Sequence, residues 1–157
     1  MAGAGKSAVG KELAKKLNSD FIDIDLALVK KYGLKLQKII DRYGEEKFLR
    51  FEEKEVLTLS KNKNYIISPG GSIIYSEKAM KFLKKNSIII FLDVLLEMIE
   101  LRIKDCETRG IIGLKDKSVA KIFKERKSLY KKWADIAIKI KNNMTVNHIA
   151  EIIISKI

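Results

Sequence analysis

The chain opens with MAGAGKSAVG, in which Gly3, Gly5, Lys6 and Ser7 form a spacing suited to one task. Glycines let successive backbone N–H groups turn inward around phosphate oxygens, and the helix expected from Lys6 onward adds the positive end of its dipole. Lys6 would reach the β- and γ-phosphates of a nucleotide, and the Ser7 hydroxyl would ligate Mg²⁺. The expected nucleotide-binding set is therefore Gly3, Ala4, Gly5, Lys6, Ser7 and Ala8. A full loop of this kind reads G-x-x-x-x-G-K-[ST], and its first glycine would fall one position before Met1. It also normally follows a buried strand, so we expect Met1 to be an internal methionine of a longer G-M-A-G-A-G-K-S.

Two acidic residues follow in FIDID, Asp23 and Asp25. On a strand, residues two apart point the same way, and at its C-terminal end both can face a ligand crevice. Asp25 also precedes LALVKK and could simply cap a helix there. Further on, Gly70 and Gly71 in SPGGS would allow close approach to the backbone, or make an ordinary turn. The arginines are scarce, 5 against 27 lysines, so each asks for its own explanation.

The elements that must carry these residues can be read from hydrophobic periodicity. Short apolar runs predict strands at 21–25, 64–68, 87–92 and 135–140. Helical patterns lie between them at 6–17, 35–60 with a break at Gly44, 76–85, 94–104, 117–133 and 145–156. Strand alternating with helix implies an α/β fold, a three-layer sandwich around a parallel sheet. A length of 157 residues without a linker or repeat implies a single domain over 1–157. The irregular stretch 105–116 reads as a mobile surface loop.

Composition excludes several classes. No apolar run reaches the ~20 residues of a membrane span. The lone Cys106 permits no internal disulfide, and His148 has no partner for a zinc site. A cytoplasmic protein is expected, since no charged-then-apolar leader is visible. The net charge of +12 comes from lysines scattered through every segment, without a nucleic-acid motif. That pattern fits a solvated surface that attracts small anionic substrates, and no nucleic-acid partner is expected.

The phosphate loop, FIDID, GEEKFLRFEE, SPGGS, TRGIIGL and ERKSLYKKWAD, in this order and spacing, resemble the shikimate kinases. The resemblance spans essentially the whole chain. It implies a P-loop fold of the nucleoside-monophosphate-kinase type with sheet order 2-3-1-4-5, of which strand 1 is missing here. It further implies transfer of the γ-phosphoryl group of ATP to the 3-hydroxyl of shikimate, with Mg²⁺, by a monomer. Asp23 would then hold Mg²⁺ through water, and Asp25 would bind the substrate hydroxyls and take the proton of the attacking one. Arg109, in the loop, would close over the transferred group as a catalytic residue beside Lys6 and Asp25. Arg126 would bind the substrate carboxylate, while Arg102 and Asn143 would hold the adenine. Gly70, Gly71 and Ser72 would line the substrate.

The sequence departs from the family pattern mainly on the acceptor side. Leu49 stands where the family has an arginine that helps hold the substrate carboxylate, and this leaves Glu52 without its partner one turn back. Arg50 is displaced about 100° around the helix and is no simple substitute. The loss should cost about 1.5–3 kcal/mol, or about 10- to 150-fold in affinity, unless Arg126 pairs with both carboxylates. Ser72 replaces the third glycine of the turn, Ala8 a threonine, and Gly110 the lid proline. These changes leave open a different small-molecule acceptor, or a chain that binds nucleotide without turning it over.

Overall fold

The computed structural model describes residues 1–60, 63–103 and 110–157. Arg109 and Cys106 lie outside the described residues. Eight helices and four strands are found among those described: α1 (Lys6–Lys16), β1 (Asp20–Asp23), α2 (Ile24–Tyr32), α3 (Leu36–Tyr43), α4 (Glu45–Leu57), β2 (Tyr65–Ser68), α5 (Glu77–Asn86), β3 (Ile90–Val94), α6 (Leu96–Ile103), α7 (Val119–Trp133), β4 (Ile136–Ile140) and α8 (Val146–Ile154), with a 3-10 turn at Ile73–Tyr75.

The strands form two separate parallel pairs. β1 pairs with β2, Asp20 opposite Tyr65 and Asp23 opposite Ser68. β3 pairs with β4, Ile90 opposite Ile136 and Val94 opposite Ile140. Among the described residues β2 and β3 do not pair. Between them lies a cavity of about 220 Å³, bordered by Ile66 and Ile67 on one side, Phe91 and Leu92 on the other, and Gly10 and Leu13 of α1. The two pairs correspond to the outer halves of the order 2-3-1-4-5, with the cavity at the position of its central strand.

Each half packs its own apolar cluster. Val9 and Leu13 of α1 join Val94, Ile99, Ile138, Ile140, Ile149 and Ile153 on one side. Ile24, Leu28, Ile39, Phe48, Val56, Met80 and Leu83 form the other. Tyr130 of α7 packs against both.

Two sequence expectations need correction. Strand β1 ends at Asp23, and α2 begins one residue later. Asp23 caps α2, its Oδ1 accepting from the Leu26 N–H at 3.2 Å, so the cap is Asp23 and Asp25 sits in the first helical turn. The two aspartates are therefore not neighbours on one strand face; a strand-to-helix corner sets their relation. Strand β3 also begins three residues later than the apolar run suggests. Ile89 stays outside the ladder, and its carbonyl and N–H are held by the Asp135 backbone and side chain respectively.

Candidate active site

The first turn is built for an anion. Gly3 and Gly5 have φ of +75° and +88°, a left-handed geometry that side-chain-bearing residues rarely adopt. The buried Ala4 packs with the first core cluster, and α1 starts at Lys6, leaving its first N–H groups at the loop. The Lys6 ammonium donates to the Met1 carbonyl at 3.2 Å. Desolvation lowers its pKa, while Asp25, Asp23 and Glu52 act to raise it. The lysine is thus fixed among three carboxyl groups. Ala8 is exposed on α1.

The parallel register of β1 and β2 brings Asp23 and Ser68 side by side at the carboxyl ends of their strands. Ser7 reaches over both. Its hydroxyl donates to Asp23 Oδ2 at 2.5 Å and lies 3.5 Å from Ser68 Oγ. Three hard oxygens thus converge beside the phosphate loop, a donor set that fits Mg²⁺ completed by water and phosphate oxygens.

The acceptor side gathers from four segments. Asp25, Phe48, Glu52, Gly71, Ser72 and Arg126 border one small cavity. Arg126 is only 2% exposed, yet its hydrogen-bonding partners are neutral. The guanidinium donates to the Ile112 carbonyl at 3.0 Å and the Tyr75 hydroxyl at 3.3 Å, and lies over the Tyr75 ring. It does not hydrogen-bond to Glu52, so the Glu52 half of a pairing with both carboxylates is not formed. Glu52, 1% exposed, instead accepts from the Ser72 hydroxyl. Burial pushes its carboxyl up to about 8, with Asp25 adding to the rise while the Ser72 bond, Arg126 and Lys6 oppose it. Sequence reasoning missed this partnership. Ser72 adopts φ −95°, ordinary backbone for a serine.

Gly70 serves the protein's own carboxyls. A Cβ placed there would fall 1.7 Å from Glu52 Oε1 and 2.8 Å from Asp25 Oδ1. We therefore expect Gly70→Ala to push Glu52 off Ser72 and impair acceptor turnover while nucleotide affinity is retained. Paired measurements of acceptor KM and ATP Kd check this; an unchanged acceptor KM would refute it. Gly71 is less crowded, with a notional Cβ 3.3 Å from both Ala2 N and Arg126 Nη1, and its carbonyl accepts from the Tyr130 hydroxyl at 2.6 Å.

Other expected residues are placed less centrally. Leu49 packs with the second apolar cluster and does not border the acceptor cavity. Arg50 pairs with Glu46 on the exposed face of α4, as expected of a residue rotated away from the site. Arg102 donates to the Gly3 carbonyl at 3.0 Å, which ties α6 to the phosphate loop. Asn143 lies exposed in the turn between β4 and α8. Gly110 has φ +55°, which the locked ring of a proline cannot reach, so the backbone takes a path here that the family proline would not allow. Gly113 N donates to Glu45 at 2.8 Å, fastening the next turn to the start of α4.

A family model described as shikimate kinase matches residues 2–157. The chain belongs to the shikimate kinase family. Members of this family are kinases, ATP-dependent phosphotransferases. A shikimate kinase of Sulfurihydrogenibium is 34% identical over 155 residues, covering 99% of this chain and 92% of that protein. The Aquifex aeolicus shikimate kinase is 34% identical over 136 residues, covering 87% and 80% of the two chains. Among solved structures, the Acinetobacter baumannii shikimate kinase in complex with shikimate superposes with a TM-score of 0.90 at 26% identity, covering 98% of this chain and 87% of that one. The crystal structure of the Aquifex aeolicus enzyme gives 0.80 at 29% identity, covering 99% and 90%. These likenesses establish the P-loop α/β kinase fold around the split sheet.

Proposed function

We propose that this chain transfers the γ-phosphoryl group of ATP to the 3-hydroxyl of shikimate. The observation that carries the reading is the shared cavity of Asp25 and Arg126, a carboxylate and a buried guanidinium brought together next to a lysine-bearing phosphate loop. Lys6 and the N–H groups of the first turn bind the phosphates and offset charge that builds up on them during transfer. Asp25 orients the attacking hydroxyl and accepts its proton. Arg126 takes the substrate carboxylate in its planar fork. Ser7 and Asp23 would hold Mg²⁺, which when bound neutralises phosphate charge. Arg102 and Asn143 are assigned to the adenine side, and Arg109 to closure over the transferred group.

The space among Asp25, Glu52 and Arg126 is only about 20 Å³, near that of a single water. A ring-sized acceptor therefore enters by displacing the Ala2 or Gly110–Ile111 wall. The cavity then closes around it, which excludes water from the transfer.

ADP release with Mg·ATP tests the reading, measured with shikimate, with polyols lacking a carboxylate, and with no acceptor. Release dependent on shikimate is expected. Faster release with an uncharged polyol would assign a different acceptor. ATP binding without acceptor-dependent release would leave a nucleotide-binding protein only.

A further inference from the structure

Glu52 is the least ordinary group in the molecule. It is a carboxyl 1% exposed to solvent, and one of its oxygens, Oε1, has no hydrogen-bond partner among the described residues. Oε2 is held by the Ser72 hydroxyl. Oε1 crowds the same point above Gly70 as Asp25 Oδ1, and Glu52 and Asp25 border the same cavity. A fully buried carboxylate beside a second carboxyl and without a cation bonded to it carries a heavy desolvation cost. One proton on the pair removes most of that cost.

We propose that Glu52 works as a neutral carboxylic acid in the acceptor pocket, oriented by Ser72, with its Oε1–H donating to the acidic group of the acceptor beside Arg126. It is thus a specificity-determining residue, and Ser72 is its positioning residue. The inference rests on the acidic-acceptor reading above. In this chain the acid at 52 supplies the second donor that a guanidinium at position 49 would otherwise give.

In this chain the departures at 49 and 72 both bear on the surroundings of Glu52. With Leu49 in the apolar cluster, no cation from α4 reaches Glu52. A third glycine in the turn would leave both Glu52 oxygens without a donor, and the serine hydroxyl supplies one. The charged and titratable groups facing Glu52 are Asp25 from α2, Arg126 and Tyr130 from α7, and Lys6 from α1. The Met1 amine lies among Lys6, Arg126 and Asp25. Arg126 and Lys6 favour ionisation of Glu52, whereas burial and Asp25 oppose it, and burial is the largest influence.

Two readouts test this on the full chain. The first is the ¹³C carboxyl titration of Glu52 without any acceptor, assigned by its loss in Glu52→Gln. It should show a neutral carboxyl at pH 7 titrating near 8. The midpoint should move up in Ser72→Ala, which removes the bond favouring the anion, and fall below neutrality in Leu49→Arg. The second is shikimate KM between pH 7 and 9, which should rise about tenfold if only the acid form binds. In Glu52→Gln that pH slope should vanish, and in Ser72→Ala it should shift to higher pH. A Glu52 already ionised at pH 7, or a shikimate KM slope that survives in Glu52→Gln, would overturn the proposal. A neutral Glu52 in a chain that turns over no shikimate would overturn the acceptor assignment instead, leaving the carboxyl pair in place.

Discussion

Replacing Lys6 by methionine is expected to lower kcat by at least about a hundredfold without unfolding the protein. The ammonium is already pinned by the Met1 carbonyl and set among Asp23, Asp25 and Glu52. A charge held in this way meets the phosphate without reorganising, and an apolar chain of similar length removes that stabilisation entirely. The stability prediction follows from linkage. Burial holds the folded pKa of Lys6 below its unfolded value, so the unfolded chain binds more protons in that range. Burying the charged ammonium therefore costs stability, and that cost falls as pH rises and the group loses its proton. Lys6→Met should melt no lower than the parent and should lose this pH dependence. A kcat within threefold of the parent would remove Lys6 from the chemistry.

Replacing Arg126 by methionine should raise shikimate KM by about 10- to 150-fold, the loss of one charge-assisted bidentate contact. ATP affinity should stay within about twofold, since the hydrogen bonds of Arg126 go to the Ile112 carbonyl, the Tyr75 hydroxyl and the Met1 sulfur rather than to the N–H groups of the first turn. The change reaches further than one bond. Arg126 is among the groups that hold the Glu52 carboxyl down, so in the variant Glu52 should titrate above its present value of about 8. The variant also leaves the Ile112 carbonyl and the Tyr75 hydroxyl without their donor. An unchanged KM accompanied by a lower Tm would show that the arginine is a strut between those two groups and not a substrate contact.

The nucleotide half of the site was legible in the sequence because it is local. Gly3, Gly5, Lys6 and Ser7 are contiguous, and the backbone geometry that the motif demands is set by the glycines themselves. Asp23 was legible for the same reason, although its cap on α2 was assigned to Asp25. The apolar run FIDIDLAL does not mark where the period changes from two to 3.6. Helix α2 itself was hidden behind that run. The acceptor half is assembled from separate elements. Ser72 and Glu52 lie 20 residues apart, and neither belongs to a motif that names the other. Gly70 reads as a turn residue until the carboxyls behind it are in view. Leu49 could be read as a loss, but its compensation could not.

The division of the sheet has a consequence for how substitutions combine. Two apolar clusters share few members, and Tyr130 on α7 is one of the side chains packed against both. One change in each cluster, such as Leu13→Ala on α1 combined with Phe48→Leu on α4, should add in free energy to within about 0.5 kcal/mol. Changes at Tyr130, which also holds the Gly71 carbonyl, should not. The apolar packing of α4 can therefore be remodelled with little effect on the packing of α1, whereas changes at Glu52 reach Lys6 through its charge, and α7 is the element that limits how far such drift can go.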